Sequence, residues 1–282
     1  VSRLIVNADD FGLTLGVNRA VLELHEAGVL TSATLMARAG ATDQAIETAR
    51  GVQGLGVGCH VVLVDGNPTS PKNEIPTLVN RNTGSFSSSL SGFWARLAAG
   101  RISAAEIEVE AAAQIARLQE RGMRLTHIDT HKHTHMFPAV LRAVLRAAHK
   151  AGIGAVRNPF EPAWAIRATA GASWARVAEV AALRRLASTC RRIIAEEGFL
   201  TTDGTIAVVG TGVLNAATMR SLLGNLPQGT WELVTHPGYN DADLAKVRTR
   251  LRASRDVERE ALLAVKEFDG IELVNFDGLR RA

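Results

Sequence analysis

The densest chemical signal in the chain is the run His127-Ile-Asp-Thr-His-Lys-His-Thr-His135, in which His127, Asp129, His131, His133 and His135 take alternate positions. If strand geometry continues through the run, all five side chains point to one face, because strand side chains alternate with period two. Imidazole nitrogen and carboxylate oxygen are direct ligands of divalent cations of borderline softness, and a catalytic centre leaves one position open for water. Such an ion acidifies bound water and polarises a carbonyl, which suits hydrolysis of an amide or ester. A second signal is the pair Asp9-Asp10 at the end of an apolar run. Adjacent acids repel unless a cation lies between them, although either alone also serves as a turn or N-cap residue. His236 stands in Val-Thr-His-Pro-Gly-Tyr, where Pro237 and Gly238 fix a turn that can hold an imidazole as a general acid for a leaving amine. His60 lies near the end of another apolar run, and Cys59 beside it faces the opposite side as a small core residue. His25, His127 and His149 read as structural residues, His127 on a buried strand and the other two on helices.

These residues need elements that bring them together. Apolar runs expected as strands are Leu4–Ala8, Leu30–Met36, Leu55–Leu63, Leu125–Thr130, Ile153–Arg157, Thr205–Val209, Trp231–Thr235 and Ile271–Asn275. Amphipathic stretches between them include Gly16–Ala27, Thr42–Arg50, Ala104–Arg121, Ala139–Ala151 and Ala216–Leu223, with Gly28, Gly122 and Gly152 placed to end three helices. Strands separated by helices imply parallel pairing, and about eight such units predict one α/β domain over residues 1–282: an irregular, TIM-barrel-like (β/α) barrel with a helical insertion around 160–200. Barrels of this kind gather chemistry at the C-terminal ends of their strands. Asp9 and Asp10, His60, His131 and His236 all fall at such ends, on four different strands.

Composition narrows the class. The 282 residues are 46% hydrophobic, enough to bury a sizeable core. Cys59 and Cys190 lie far apart and form no CxxC pair, which argues against a disulfide framework or zinc ribbon and fits a reducing compartment. The first residues enter an apolar strand without a leader pattern, so a cytoplasmic location is expected. The formal net charge of +4 is a mild basic bias, and the basic residues are not gathered with aromatics into a nucleic-acid module.

Four segments in order, NADDFG, GVGCHVVLVDG, THIDTHKHTHMFP and THPGYND, resemble the YdjC-type carbohydrate deacetylases, a family that includes chitooligosaccharide deacetylases, over Ile5 to Asp241. The resemblance implies a barrel-like fold and one divalent ion, Zn2+ or Mg2+, held by Asp10, His60 and His131. It implies Asp9 as the general base and His236 as the acid. It assigns no role to His133 or His135, which are expected to shape the sugar site or orient ligands. Cys59 replaces the bulkier apolar residue of many relatives, a change in packing beside a ligand. VVLVDGNPTSPKNEIPTLV and VRNPFEP resemble the hopanoid biosynthesis-associated branch, which implies an N-acetylglucosaminyl hopanoid as substrate.

The stretch Ala163–Ala195 contains six Arg and one Glu with Trp164 and Trp174 among its apolar residues. It reads as a basic amphipathic helix suited to the inner membrane surface, where a glycolipid would be met, or alternatively as a barrel helix or homodimer contact. Soluble chito-oligosaccharides need no such surface. A noncatalytic sugar binder is the remaining rival, and intact Asp9 and His236 argue against it. Metallo-phosphoesterases and amidohydrolases carry HxH on the first strand, whereas here it comes on the fourth.

Overall fold

The structure, a computed structural model, describes residues 1–265 and 268–281. Its strands are Ser2–Phe11 (β1), Ser32–Leu35 (β2), Gly56–Val61 (β3), Ile128–Thr130 (β4), Gly204–Ile206 (β5), Gly229–Thr235 (β6) and Ile271–Leu273 (β7). Its α-helices are Leu15–Glu26 (α1), Thr42–Ala49 (α2), Leu90–Ala98 (α3), Ala104–Glu120 (α4), Pro138–Lys150 (α5), Ala163–Ala168 (α6), Trp174–Leu183 (α7), Ala187–Glu196 (α8), Ala216–Gly224 (α9) and Ser254–Ala264 (α10).

All strand pairs are parallel, in the order β4-β3-β2-β1-β6-β5. β7 pairs with Ser2–Leu4, while β2 pairs farther along, from Asn7 to Phe11. The sheet curls into a half-barrel with helices around it, as parallel strands joined by helical crossovers require. Ile153–Arg157, expected as a strand, makes only isolated bridges, Val156 to Ile128 and Ala155 to Leu200. The following Asn158-Pro159 and Glu161-Pro162 explain this, because proline lacks the N–H that a ladder needs. The segment still reaches toward β5, where the Thr205 hydroxyl donates to the Asn158 carbonyl at 2.6 Å.

Inside the curl, side chains form two layers. Ile5, Ala155, Phe276 and Leu279 make an apolar floor. His127 stacks on Phe276 with ring centroids 3.7 Å apart, and a Cβ at Gly58 would come within 2.5 Å of its ring. His127 is therefore structural, and burial holds its imidazole well below the usual range. Above the floor lies a layer of buried polar groups: Asn7, Asp9, Asp129, Arg157, Thr205 and Glu232. His25 places Nδ1 2.8 Å from the Leu30 carbonyl and Nε2 3.0 Å from the Gln53 carbonyl, so that a ring N–H donates to the backbone, as a structural helix residue does. Gly28, Gly122 and Gly152 follow their helices with φ of 74°, 81° and 75°, the left-handed geometry of a helix stop.

The stretch 163–195 is not one helix. It breaks into α6, α7, a 3-10 turn Arg184–Leu186 and α8, because Gly171 turns the chain at φ 81° and Ser173 caps a new helix start at the Arg176 N–H. Trp164 packs edge-on against Trp231, whereas Trp174 is 84% exposed. Among the described residues no helix is long and apolar enough to cross a membrane.

The start of the loop after β3 is held by α4. Gln114 accepts from the Val62 N–H at 2.8 Å and donates to the Val62 carbonyl at 2.7 Å. Buried Glu110 accepts from the N–H groups of Thr69 and Ser70 at 2.8 and 2.9 Å. These bonds fix the chain immediately beyond His60. Gln114→Leu leaves both Val62 groups buried and unpaired, so it is expected to cost about 2–4 kcal/mol, measured by urea unfolding. A loss under about 1 kcal/mol would show that the clamp is replaced by solvent.

Candidate metal centre and active site

The first acids reach the site through an irregularity. Adjacent strand residues point to opposite faces, so a regular β1 would send only one of Asp9 and Asp10 inward. The β1–β2 register shifts between Ala8 and Phe11, and Asp10 takes a left-handed φ of 63°. A bulge of this kind re-aims side chains, and both carboxylates end up buried at the mouth of the curl. The left-handed turn is steadied by buried Asn18, whose side-chain oxygen accepts from the Gly12 N–H at 2.7 Å.

His60 and Asp129 are register partners on β3 and β4, both facing inward. Asp129 accepts from His60 Nδ1 at 2.8 Å, which leaves Nε2 facing the mouth. The expected continuation of β4 through His135 does not occur. The strand stops at Thr130, and His131–Met136 forms a 3-10 segment in which Lys132 and His133 are left-handed, with φ of 55° and 52°. The alternate-face reading of the five residues fails there, since period two ends with the strand. His131 nevertheless turns its Nδ1 to within 3.1 Å of Asp10 Oδ1 and 3.3 Å of His60 Nε2. Lys132 ties this turn to Asp65 beyond β3 at 2.7 Å. His135 lies beneath, with Thr130 Oγ1 at 2.7 Å from its Nδ1, and burial pushes its imidazole down to about 3. Burial likewise holds His133 well below the usual range, and its Nδ1 is buried without a partner.

Asp10 Oδ1, His60 Nε2 and His131 Nδ1 thus converge, with pairwise distances of 3.5, 3.1 and 3.3 Å. Ligand atoms about 2.0–2.1 Å from a tetrahedral Zn2+ stand roughly 3.3 Å apart, so this spacing fits a small divalent ion. Asp10 Oδ1 is buried without a hydrogen-bond donor, while its other oxygen takes Arg255 Nη2 at 2.5 Å. Asp9, Asp10, Asp129, Glu232 and Glu258 are buried here against the two guanidinium groups of Arg157 and Arg255. A second cluster, Asp9, His60 and Asp129, also has ligand-type atoms within reach of one another. Its oxygens already serve Arg157 and His60 Nδ1.

Electrostatics sort the groups. Burial alone would raise Asp9, but Arg157, with His60 and His236, pulls its carboxyl far below the usual range. Asp10 is likewise held low against burial, chiefly by Arg255. Burial opposes charge on His60, yet Asp129 and Asp9 raise its imidazole to about 10. Burial lifts Glu232 to about 7.

His236 follows β6 and presents Nε2 at 3.8 Å from Asp9 Oδ2. Its N–H donates to Glu258 at 2.6 Å, and its Nδ1 lies 3.9 Å from the same carboxylate. Gly238 is required by this turn. A Cβ there would meet Arg255 Cδ at 3.1 Å and Val17 Cγ2 at 3.2 Å, so α10 comes close only over a glycine. Arg255 and Glu258 project from α10 one turn apart, both 1% exposed.

The structure therefore brings together all five expected residues, Asp9, Asp10, His60, His131 and His236. It adds Arg157, Glu232, Arg255 and Glu258, which sequence reasoning missed. Arg255 and Glu258 sit in a heavily charged helix that reads as a solvated face, and Arg157 ends an apolar run just before a proline-containing segment, apart from the motifs that carry the acids and imidazoles of the site. Cys59, on the far face of β3, is buried, and its thiol is raised by that burial.

Comparison with known proteins follows the same lines. A carbohydrate deacetylase of Thermoanaerobacter pseudethanolicus is 30% identical over 259 residues, 92% of this chain and 90% of that protein. A chitooligosaccharide deacetylase of Serratia marcescens is 41% identical over 129 residues, 45% of this chain and 48% of that protein. A solved structure from Enterococcus faecalis V583, put forward as a cellobiose-phosphate cleavage protein, matches with a TM-score of 0.77 and 28% identity, covering 99% of this chain and 98% of that one. A lactam utilization protein from Thermus thermophilus, at TM-score 0.50 and 16% identity over 96% of this chain and 99% of that one, shares the fold alone. The family model described as YdjC-like protein matches residues 3–268, and the chain accordingly belongs to the YdjC-like family.

Proposed function

We propose that the chain hydrolyses the N-acetyl amide of an N-acetylglucosamine-containing substrate, with Asp10, His60 and His131 holding one divalent ion, Zn2+ or Mg2+. The observation that carries this is the convergence of three ligand atoms around an undonated buried oxygen of Asp10. The relatives described as deacetylases support the reaction class. Two imidazoles favour zinc by ligand softness.

A divalent ion held there supplies Lewis acidity, polarising the acetyl carbonyl and lowering the pKa of a bound water. Asp9, ionised under the influence of Arg157, takes the proton of the attacking water. His236, across from Asp9, gives a proton to the departing amine, so that amide and water leave as acetate and amino sugar. Glu258 holds the backbone of His236 and fixes where the imidazole stands. Arg255 turns Asp10 so that only one oxygen is left for an ion.

The finer reading of the substrate is an N-acetylglucosaminyl hopanoid. The exposed Trp174, with Arg167, Arg184, Arg185, Arg191 and Arg192 exposed on the same insertion, supports a peripheral contact with an anionic membrane surface. A second reading, a soluble chito-oligosaccharide, is favoured by the likeness to the Serratia marcescens enzyme.

Acetate release from metal-reconstituted protein, given the glycolipid and N,N′-diacetylchitobiose in parallel, separates these readings. The expected result is release from the glycolipid; release from the disaccharide alone would move the chain to the soluble branch, and none from either would sink the deacetylase reading. His131→Ala is expected to lose both metal and activity, whereas Asp9→Asn keeps the metal and loses about 10²–10⁴ in kcat.

The raised His60 imidazole gives a pH signature. In metal-free protein its protonated form stabilises the fold fully below 6.5 and ceases to do so as pH rises through about 10. A cation at Nε2 must displace that proton. Metal affinity should therefore increase across roughly pH 7 to 9, with close to one proton released per ion, read by calorimetry in buffers of different ionisation enthalpy. Binding without proton release would show that Nε2 is not the ligand atom.

A further inference from the structure

We propose that Arg157 is the positioning residue of this centre: one guanidinium that sets His60 toward the ion through Asp129 and sets Asp9 toward the water directly. The inference rests on the functional reading above.

Arg157 is completely buried, and all three of its guanidinium nitrogens are engaged. Nε donates to Glu232 Oε1 at 2.8 Å. Nη1 and Nη2 grip both oxygens of Asp9 at 3.0 and 2.7 Å. Nη1 also pairs closely with Asp129 Oδ2, whose other oxygen accepts from His60 Nδ1. An unbroken path of charge-assisted contacts thus runs from the base, Asp9, to the ligand imidazole, with Arg157 at its centre.

Each link has a geometric consequence. A histidine that binds an ion through Nε2 must keep its proton on Nδ1, and a carboxylate accepting there fixes both tautomer and ring plane. Asp129 does this for His60, and Arg157 holds Asp129 by its remaining oxygen. The forked grip on Asp9 fixes the plane of that carboxylate, which a single ammonium cannot do. Glu232 sets the rotation of the guanidinium about its long stem through its contacts with Nε and Nη2. Ion pairs this deep add little net stability, because desolvation offsets their attraction. Orientation is what the arrangement provides beyond neutralising the acids.

The test uses Co2+, whose visible absorption reports ligand geometry, with affinity and turnover measured separately. Arg157→Lys keeps the charge and loses the fork. It is expected to weaken Co2+ binding about 10–100-fold, alter the absorption band, and lower kcat about 100-fold with little change in KM. Asp129→Asn should weaken Co2+ binding to a similar degree. The double variant should bind Co2+ no worse than Asp129→Asn alone, since both act through His60, yet turn over more slowly, since the Asp9 arm is lost as well. If Arg157→Lys does not fold, Glu232→Gln, near-isosteric and still an acceptor, is expected to lower kcat about tenfold with KM unchanged.

A folded Arg157→Lys with wild-type Co2+ affinity, spectrum and turnover would overturn the proposal, as would fully additive losses of Co2+ affinity in the double variant or, where Arg157→Lys fails to fold, an unchanged kcat in Glu232→Gln. Those outcomes leave the functional reading intact. Failure of the wild-type protein to bind Co2+ or release acetate would overturn that reading and this inference with it.

Discussion

The structure depends on a concentration of negative charge along the axis of the curled sheet that only buried cations can make tolerable. Asp9, Asp129 and Glu232 surround Arg157, a guanidinium with no exposed surface. Removing one partner from such a group leaves an uncompensated buried charge, at a cost of about 3–5 kcal/mol. The fold is arranged around keeping the partners in place. β1, β4 and β6 each contribute one of the acids, and the irregular segment 155–160 contributes the arginine. That segment gives up regular strand pairing, and its local carbonyls are satisfied by side chains such as Thr205 and Thr201 instead.

Charge neutralisation is completed nearer the rim by Arg255 on Asp10 and, in our reading, by a divalent ion. The backbone is strained where these groups meet. Asp10, Lys132 and His133 all adopt left-handed φ without being glycine, a conformation that costs on the order of 1 kcal/mol or more each. Asp65, the partner of Lys132, does so too at φ 56°. Strained residues thus follow both His60 and His131 and hold the two loops against each other. The same turn that strains Lys132 is what swings His131 toward Asp10.

Much of this was legible in the sequence. Period-two and helical patterning located the parallel strands and the main helices, and strand ends carried the acids and imidazoles as a barrel requires. Asp9, Asp10, His60, His131 and His236 came from residue type and position together with family resemblance, and the structure brings all five into one site. What was not legible depends on tertiary contact. Nothing in an isolated Val-Arg-Asn-Pro reveals that Arg157 will face three acids from distant strands. Arg255 and Glu258 look solvated because they stand in the charged run Arg255-Asp256-Val257-Glu258-Arg259-Glu260, and the close approach of Gly238 to Arg255 is a tertiary contact that the run does not show. The bulge at Asp10 and the end of β4 at Thr130 are departures from ideal strands that periodicity does not encode. The amphipathic pattern over 160–200 implies helix but not its breaks, since Gly171 and Ser173 outweigh the pattern around them.

The central claim is that one divalent ion sits among Asp10, His60 and His131. The most direct measurement is anomalous diffraction from crystals of the zinc-loaded protein, recorded on both sides of the zinc absorption edge. The account predicts a single anomalous peak bounded by Asp10 Oδ1, His60 Nε2 and His131 Nδ1, with Asp9 and Asp129 still on Arg157. A peak between Asp9, His60 and Asp129, with Arg157 displaced, or no peak at the mouth at all, would contradict it.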